Sequence, residues 1–140
     1  MNEVLDRLRL AAPAAFDGEP VAFALLFGSQ ARGTAGPRSD VDVAVHLTPE
    51  AADVDQLDLR LRLAGALEEH AGVGPVEVVV LDDAPLPLAG RAVQEGLVIH
   101  SRDDVLRVRF TSLTLRMFHD YQLRDERNVR ERLQRLASGR

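Results

Sequence analysis

Two acids two residues apart, Asp40 and Asp42, follow the pair Gly28-Ser29, with ten residues between Ser29 and Asp40. On an extended chain, residues i and i+2 share a face about 6.6 Å apart at the backbone. Carboxylates so placed can converge on hard cations, including a metal pair about 4 Å apart of the kind that clamps a phosphoryl group. The same two residues would also serve as a turn cap and a solvated strand end. Gly28 lets the backbone come close to a ligand, amides at a helix start attract phosphate, and the Ser29 hydroxyl adds a donor. An ordinary strand-to-helix turn with a serine cap uses the same residues. Neither the dinucleotide-binding glycine fingerprint nor the Walker lysine loop is present, so a phosphate grip here is of another kind.

Glu77 is the one charge inside the apolar run Val76–Leu81. If its strand lies beside that of Asp40 and Asp42, it completes a three-carboxylate site that can hold a metal or take the proton from an attacking hydroxyl. On an edge strand it would simply face water. Arg32 can neutralise charge developing on a polyphosphate, or make a surface salt bridge. His46 shares the acidic face but lies beyond the pair, and His70, His100 and His119 are isolated. Tyr121 falls in an apolar stripe.

The elements around these residues follow from their periodicity. Residues 2–12 place Val4, Leu5, Leu8, Ala11 and Ala12 on one side of a short helix, and Pro13, Asp17, Gly18 and Pro20 punctuate a loop. Val21–Phe27 is a continuous apolar run of strand length, as expected of a strand buried on both faces. Gly33, Gly36 and Pro37 break the next segment into a turn. Val41–Leu47 alternates, with Val41, Val43, Val45 and Leu47 on one face and Asp40, Asp42, Ala44 and His46 on an open one. Thr48, Pro49 and Glu50 resemble a helix start, and the helix predicted from there to Ala71 takes Val54, Leu57, Leu61, Ala64, Leu67 and Ala71 as its apolar set. It stops at Gly72-Val73-Gly74-Pro75. Val76–Leu81 reads as a third strand, Asp82–Pro87 as a loop, Leu88–Glu95 as a helix and Leu97–His100 as an edge strand. From Asp103 one long helix, or two stacked ones, carries the stripe Leu106, Phe110, Leu113, Met117 and Tyr121, thinning to Val129, Leu133 and Leu136.

The 140 residues suffice for one domain with a core. No apolar run approaches membrane-spanning length and no secretory leader is evident, so a cytoplasmic protein is expected. With no cysteine, any metal must be held by oxygen or histidine. A net charge of −5 argues against a general nucleic-acid binder. All seventeen positive charges are arginines, crowded toward the C-terminal third.

Gly28-Ser29, ten residues, then Asp40-Val41-Asp42 matches the signature of the DNA-polymerase-β-like nucleotidyltransferase superfamily. The string LFGSQARGTAGPRSDVDVAV resembles its minimal nucleotidyltransferase (MNT) branch, and the likeness runs from about Val21 to His100. It implies an α/β (α+β) fold, a small mixed sheet with helices on one side. It implies a nucleotidyltransferase domain over 1–102 and, over 103–140, a C-terminal helical extension that offers a partner surface. It implies Asp40 and Asp42 as Mg²⁺ ligands, Gly28, Ser29 and Arg32 at the phosphates of ATP, and Glu77 in the place of a third carboxylate that is usually aspartate. MNT proteins are typically antitoxins that transfer AMP to a tyrosine of a HEPN-type toxin, in a hetero-oligomer. The arginine-then-histidine signature of that toxin is absent here, which makes this chain the modifier. Two other functions fit the same residues: an antitoxin acting by contact alone, kept open by Glu77, and a small-molecule, aminoglycoside-type nucleotidyltransferase.

Overall fold

The computed structural model describes residues 2–36, 39–51 and 53–139. The turn expected to include Pro37 and the helical stretch expected to include Ala52 lie partly outside them. Nine regular elements follow in order: α1 (Glu3–Ala15), β1 (Val21–Phe27), α2 (Ser29–Arg32), β2 (Val41–Leu47), α3 (Gln56–Ala71), β3 (Val76–Val80), α4 (Leu86–Glu95), β4 (Leu97–Ser101) and α5 (Asp104–Ala137). The sheet runs β3-β2-β1-β4. β1 is antiparallel to β2 and β4, while β2 and β3 are parallel, so the sheet is mixed as expected.

β1 is central and every one of its residues is buried. A strand apolar on both faces needs cover on both. The helices accordingly lie on both sides, where the family likeness implied one. Val21, Ala24 and Leu26 pack with α1, α3 and the valines of β2 and β3. Phe23, Leu25 and Phe27 point the other way, into a second core formed by Ala89, Ala92 and Val93 of α4 with Leu106 and Phe110 of α5. Each leucine or phenylalanine so buried contributes about 1.5–3 kcal/mol.

The second core also covers most of the face of β2 expected to be open. Ala44 is buried, and the His46 ring stacks 5.3 Å from Phe23 and meets Phe110 edge-on at 4.8 Å. The Asp42 end of that face stays partly accessible.

α1 continues through Pro13 instead of stopping before it. The hydrogen bond Pro13 forfeits belongs to the exposed side near the helix end, where water can satisfy the carbonyl. Thr48-Pro49-Glu50 does not start α3. Pro49–Ala51 is a single 3-10 turn, and Asp55 is the cap, its side chain accepting from the amides of Leu57 (3.0 Å) and Asp58 (3.2 Å). The buried face of α3 is Leu59, Leu63, Leu67 and Ala71, and Leu57 and Leu61 are 58% and 66% exposed. The stop at Gly72 holds, with Gly72 left-handed. Leu81 leaves β3 for a 3-10 turn, α4 begins two residues before Leu88, and β4 is an edge strand. α5 is one helix of 34 residues.

Candidate active site

Antiparallel pairing sets Phe27, the last residue of β1, opposite Asp42, the second residue of β2. Parallel pairing sets Asp42 beside Glu77, the second residue of β3. The end of β1 and the starts of β2, β3 and β4 therefore meet at one end of the sheet. Gly28 turns the chain there from β1 into α2 with φ 76° and ψ −157°. A Cβ at Gly28 would collide with Asp42 Oδ2. The glycine thus permits both the turn and the close passage of the aspartate. Asn2 fastens α2 from behind: its side chain accepts from the Leu5 amide at 3.0 Å and donates to the Gln30 carbonyl at 2.9 Å.

Asp42 is half-buried, and its carboxyl is pushed up from the ordinary aspartate range. Burial is the main cause, followed by the charges of Glu77 and Asp40, with Glu95 adding to them and Arg32 opposing. The structure thus gathers Asp40, Asp42, Glu77 and Arg32 into one electrostatic neighbourhood. Glu77 is exposed on the outer strand, yet close enough to raise Asp42. Among the described residues no three histidine or acidic side chains converge as a ready metal cage. That arrangement fits Mg²⁺, which is held by one or two carboxylates and completed by substrate phosphates and water. The surplus of negative charge around Asp42 is what a hard cation relieves.

Glu95, the last residue of α4, is the member of this site that the sequence did not reveal. Its carboxylate accepts from the Gly28 amide at 3.2 Å and from one Arg32 nitrogen at 3.0 Å to both oxygens. An acid at the negative end of a helix is unfavourable unless a cation or donor compensates, and the last turn of α4 contains no basic residue. That mismatch was the available signal. Ser29 opens α2 beside this contact and is partly exposed. The Gly28 amide and Arg32 therefore already grip an oxyanion, although the oxyanion is the protein's own.

His46, by contrast, faces the second core and lies 3.6 Å from Asp82, away from the acidic cluster. The family described as Polymerase beta, Nucleotidyltransferase matches residues 14–105, a span that includes Gly28, Ser29, Arg32, Asp40, Asp42, Glu77 and Glu95. The chain belongs to that nucleotidyltransferase family. Its fold resembles a chain in the crystal structure of a toxin–antitoxin with AMP-PNP: 22% identity, TM-score 0.67, over 89% of this chain and 98% of that one. It also resembles a chain in the re-refined complex of the tri-AMPylated Shewanella oneidensis HEPN toxin with an MNT antitoxin, at 19% identity and TM-score 0.65, over 92% and 98%. A third likeness is to the toxin–antitoxin MntA-HepT, at 20% identity and TM-score 0.64, over 90% and 97%. No curated protein sequence matches this one.

Proposed function

We propose that this nucleotidyltransferase is an antitoxin that transfers AMP from ATP to a hydroxyl, a tyrosine's, of a HEPN-type toxin in the cytoplasm. The observation carrying this is the juxtaposition, at one end of the sheet, of an oxyanion grip made by Gly28 and Arg32 with the over-acidic cluster around Asp42. The toxin–antitoxin likenesses support the choice of acceptor.

Asp40 and Asp42 would hold Mg²⁺, which when bound neutralises phosphate charge. The Gly28 amide, the Ser29 hydroxyl and Arg32 hold and orient the polyphosphate so that its α-phosphorus faces the acceptor. The acceptor oxygen forms a bond to that phosphorus, the bond to the β-phosphate oxygen breaks, and pyrophosphate leaves. Glu77, exposed beside Asp42, takes the acceptor's proton or serves as a further metal ligand. The exposed part of α5 within 103–140 is the partner surface.

A second reading is an antitoxin that silences its partner by contact alone. The glutamate at position 77, exposed on the outer strand where the family likeness implies an aspartate, favours it. Intact-mass measurement of a HEPN-type partner co-expressed with this chain separates the two. Added AMP that disappears with Asp40→Asn/Asp42→Asn establishes transfer. A partner that stays unmodified yet silenced, with wild type and double variant alike, leaves only the contact mechanism.

A further inference from the structure

Glu95 occupies the donors that a nucleotide phosphate needs. The Gly28 amide has a single hydrogen, now given to Glu95 Oε2 at 3.2 Å, and Arg32 gives the same carboxylate two 3.0 Å contacts. Glu95 thereby adds its negative charge to those of Asp40, Asp42 and Glu77, which Arg32 opposes. A phosphate oxygen and the Glu95 carboxylate cannot share one amide hydrogen, and side by side on Arg32 they repel. The Glu95 side chain is only 20% exposed, yet it ends α4 and can swing outward without unwinding the helix.

Accepting the nucleotide-transfer reading on which this rests, we propose that Glu95 is a positioning residue that stands in for phosphate. It keeps the Gly28 turn and the Arg32 guanidinium in the binding arrangement while the site is empty, and it is displaced when the nucleoside triphosphate arrives. The substrate's apparent affinity is then lowered by the fraction of molecules in which Glu95 holds the grip. The same competition disfavours weak single anions such as inorganic phosphate, which cannot offset the loss of two donors at once. A chelated triphosphate brings its own divalent cation to the surrounding acids and can.

Calorimetric titration with AMP-PNP and Mg²⁺ tests this in wild type, Glu95→Gln, Glu95→Asp and Asp40→Asn/Asp42→Asn. Glu95→Gln removes the competing charge and should bind about five- to tenfold more tightly. Glu95→Asp keeps the charge one methylene short of Gly28, should fold as wild type does, and should gain part of that affinity. In the free protein, amide hydrogen exchange at Gly28 should quicken in both Glu95 variants. Glu95→Gln binding equally or more weakly than wild type would overturn the displacement while leaving the nucleotide reading intact, because wild type would still bind and the double aspartate variant would not. If no form binds AMP-PNP, the nucleotide reading falls and the displacement with it. Binding gained only in the Glu95 variants would support displacement in its strongest form.

Discussion

Gly28 holds a backbone conformation, φ 76° and ψ −157°, that is essentially closed to side-chain-bearing residues. Gly28→Ala therefore meets two penalties: about 1–3 kcal/mol of backbone strain, and a methyl group driven into Asp42 Oδ2. The expected outcome is a chain that loses both stability in urea and affinity for magnesium nucleotide. Stability equal to wild type would mean the turn is not held as described. The signature that joins Gly28-Ser29 to Asp40 and Asp42 was legible because spacing along the chain fixes it. Glu95 was not, because its partners lie 67 and 63 residues away and only the packing of α4 brings it to them. His100 supplies a second test at this scale. Burial against Phe16, 5.2 Å between rings, and then the charge of Arg102 hold its pKa below the ordinary 6.5. Between that lowered pKa and 6.5 the unfolded chain binds the proton that the folded one refuses. Stability is thus full above pH 6.5 and declines as pH falls through 6.5 toward the folded value, and His100→Phe should flatten that limb. Thermal melts at pH 7.5 and 5.5 on both proteins measure the difference.

At the scale of elements, α4 is the link between site and periphery. One end places Glu95 against Gly28, and its middle lies so close to α5 that a Cβ at Gly90 would run into the Phe118 ring. Gly90→Ala should cost about 1–3 kcal/mol from overpacking despite alanine's better helix propensity. With Phe118→Ala added, the double variant should recover part of the loss, and urea unfolding of the cycle reads the coupling directly. Strict additivity would show that the two helices do not press on each other there. This contact explains why the face of α5 was misread. Phe110 lies on the expected stripe, but the buried line continues to Thr114 and Phe118, leaving Leu113, Met117 and Tyr121 exposed. α5 has enough apolar residues for two stripes, and a small glycine on α4 decides which is covered. α3 went astray similarly. Leu57, Leu59, Leu61 and Leu63 alternate, so helical and extended periods compete, and the covering strands select Leu59 and Leu63. β1 and β2 take the spans their patterns predict, whereas β3 ends one residue before the expected Leu81, and its place beside β2, which the sequence left open, is fixed by strand pairing.

Over the whole molecule, charge and apolar exposure are both segregated. Residues 104–140 carry nine arginines against five acids, a net of +4, while residues 1–103 carry eight against seventeen, a net of −9. Beyond Phe118 every described residue of α5 is exposed, Tyr121, Leu123, Val129, Leu133 and Leu136 among them. No helix among the described residues is long and apolar enough to cross a membrane, so these residues are not a spanning segment. A solvated helix this long gains little from packing and is held by its own hydrogen bonds, which leaves it suited to meeting a partner. Its removal should accordingly separate stability from recognition. A chain ending at Tyr121 keeps Thr114 and Phe118 against α4 and should melt within about 2 °C of the full chain, with AMP-PNP affinity unchanged. Its capture of a HEPN-type partner should fall at least tenfold, and the full chain's capture should weaken with salt if the arginines contribute. A truncated chain that binds the partner as well as the full one would move the docking surface to the 1–102 body. One that unfolds would make the segment of α5 beyond Tyr121 necessary to the fold.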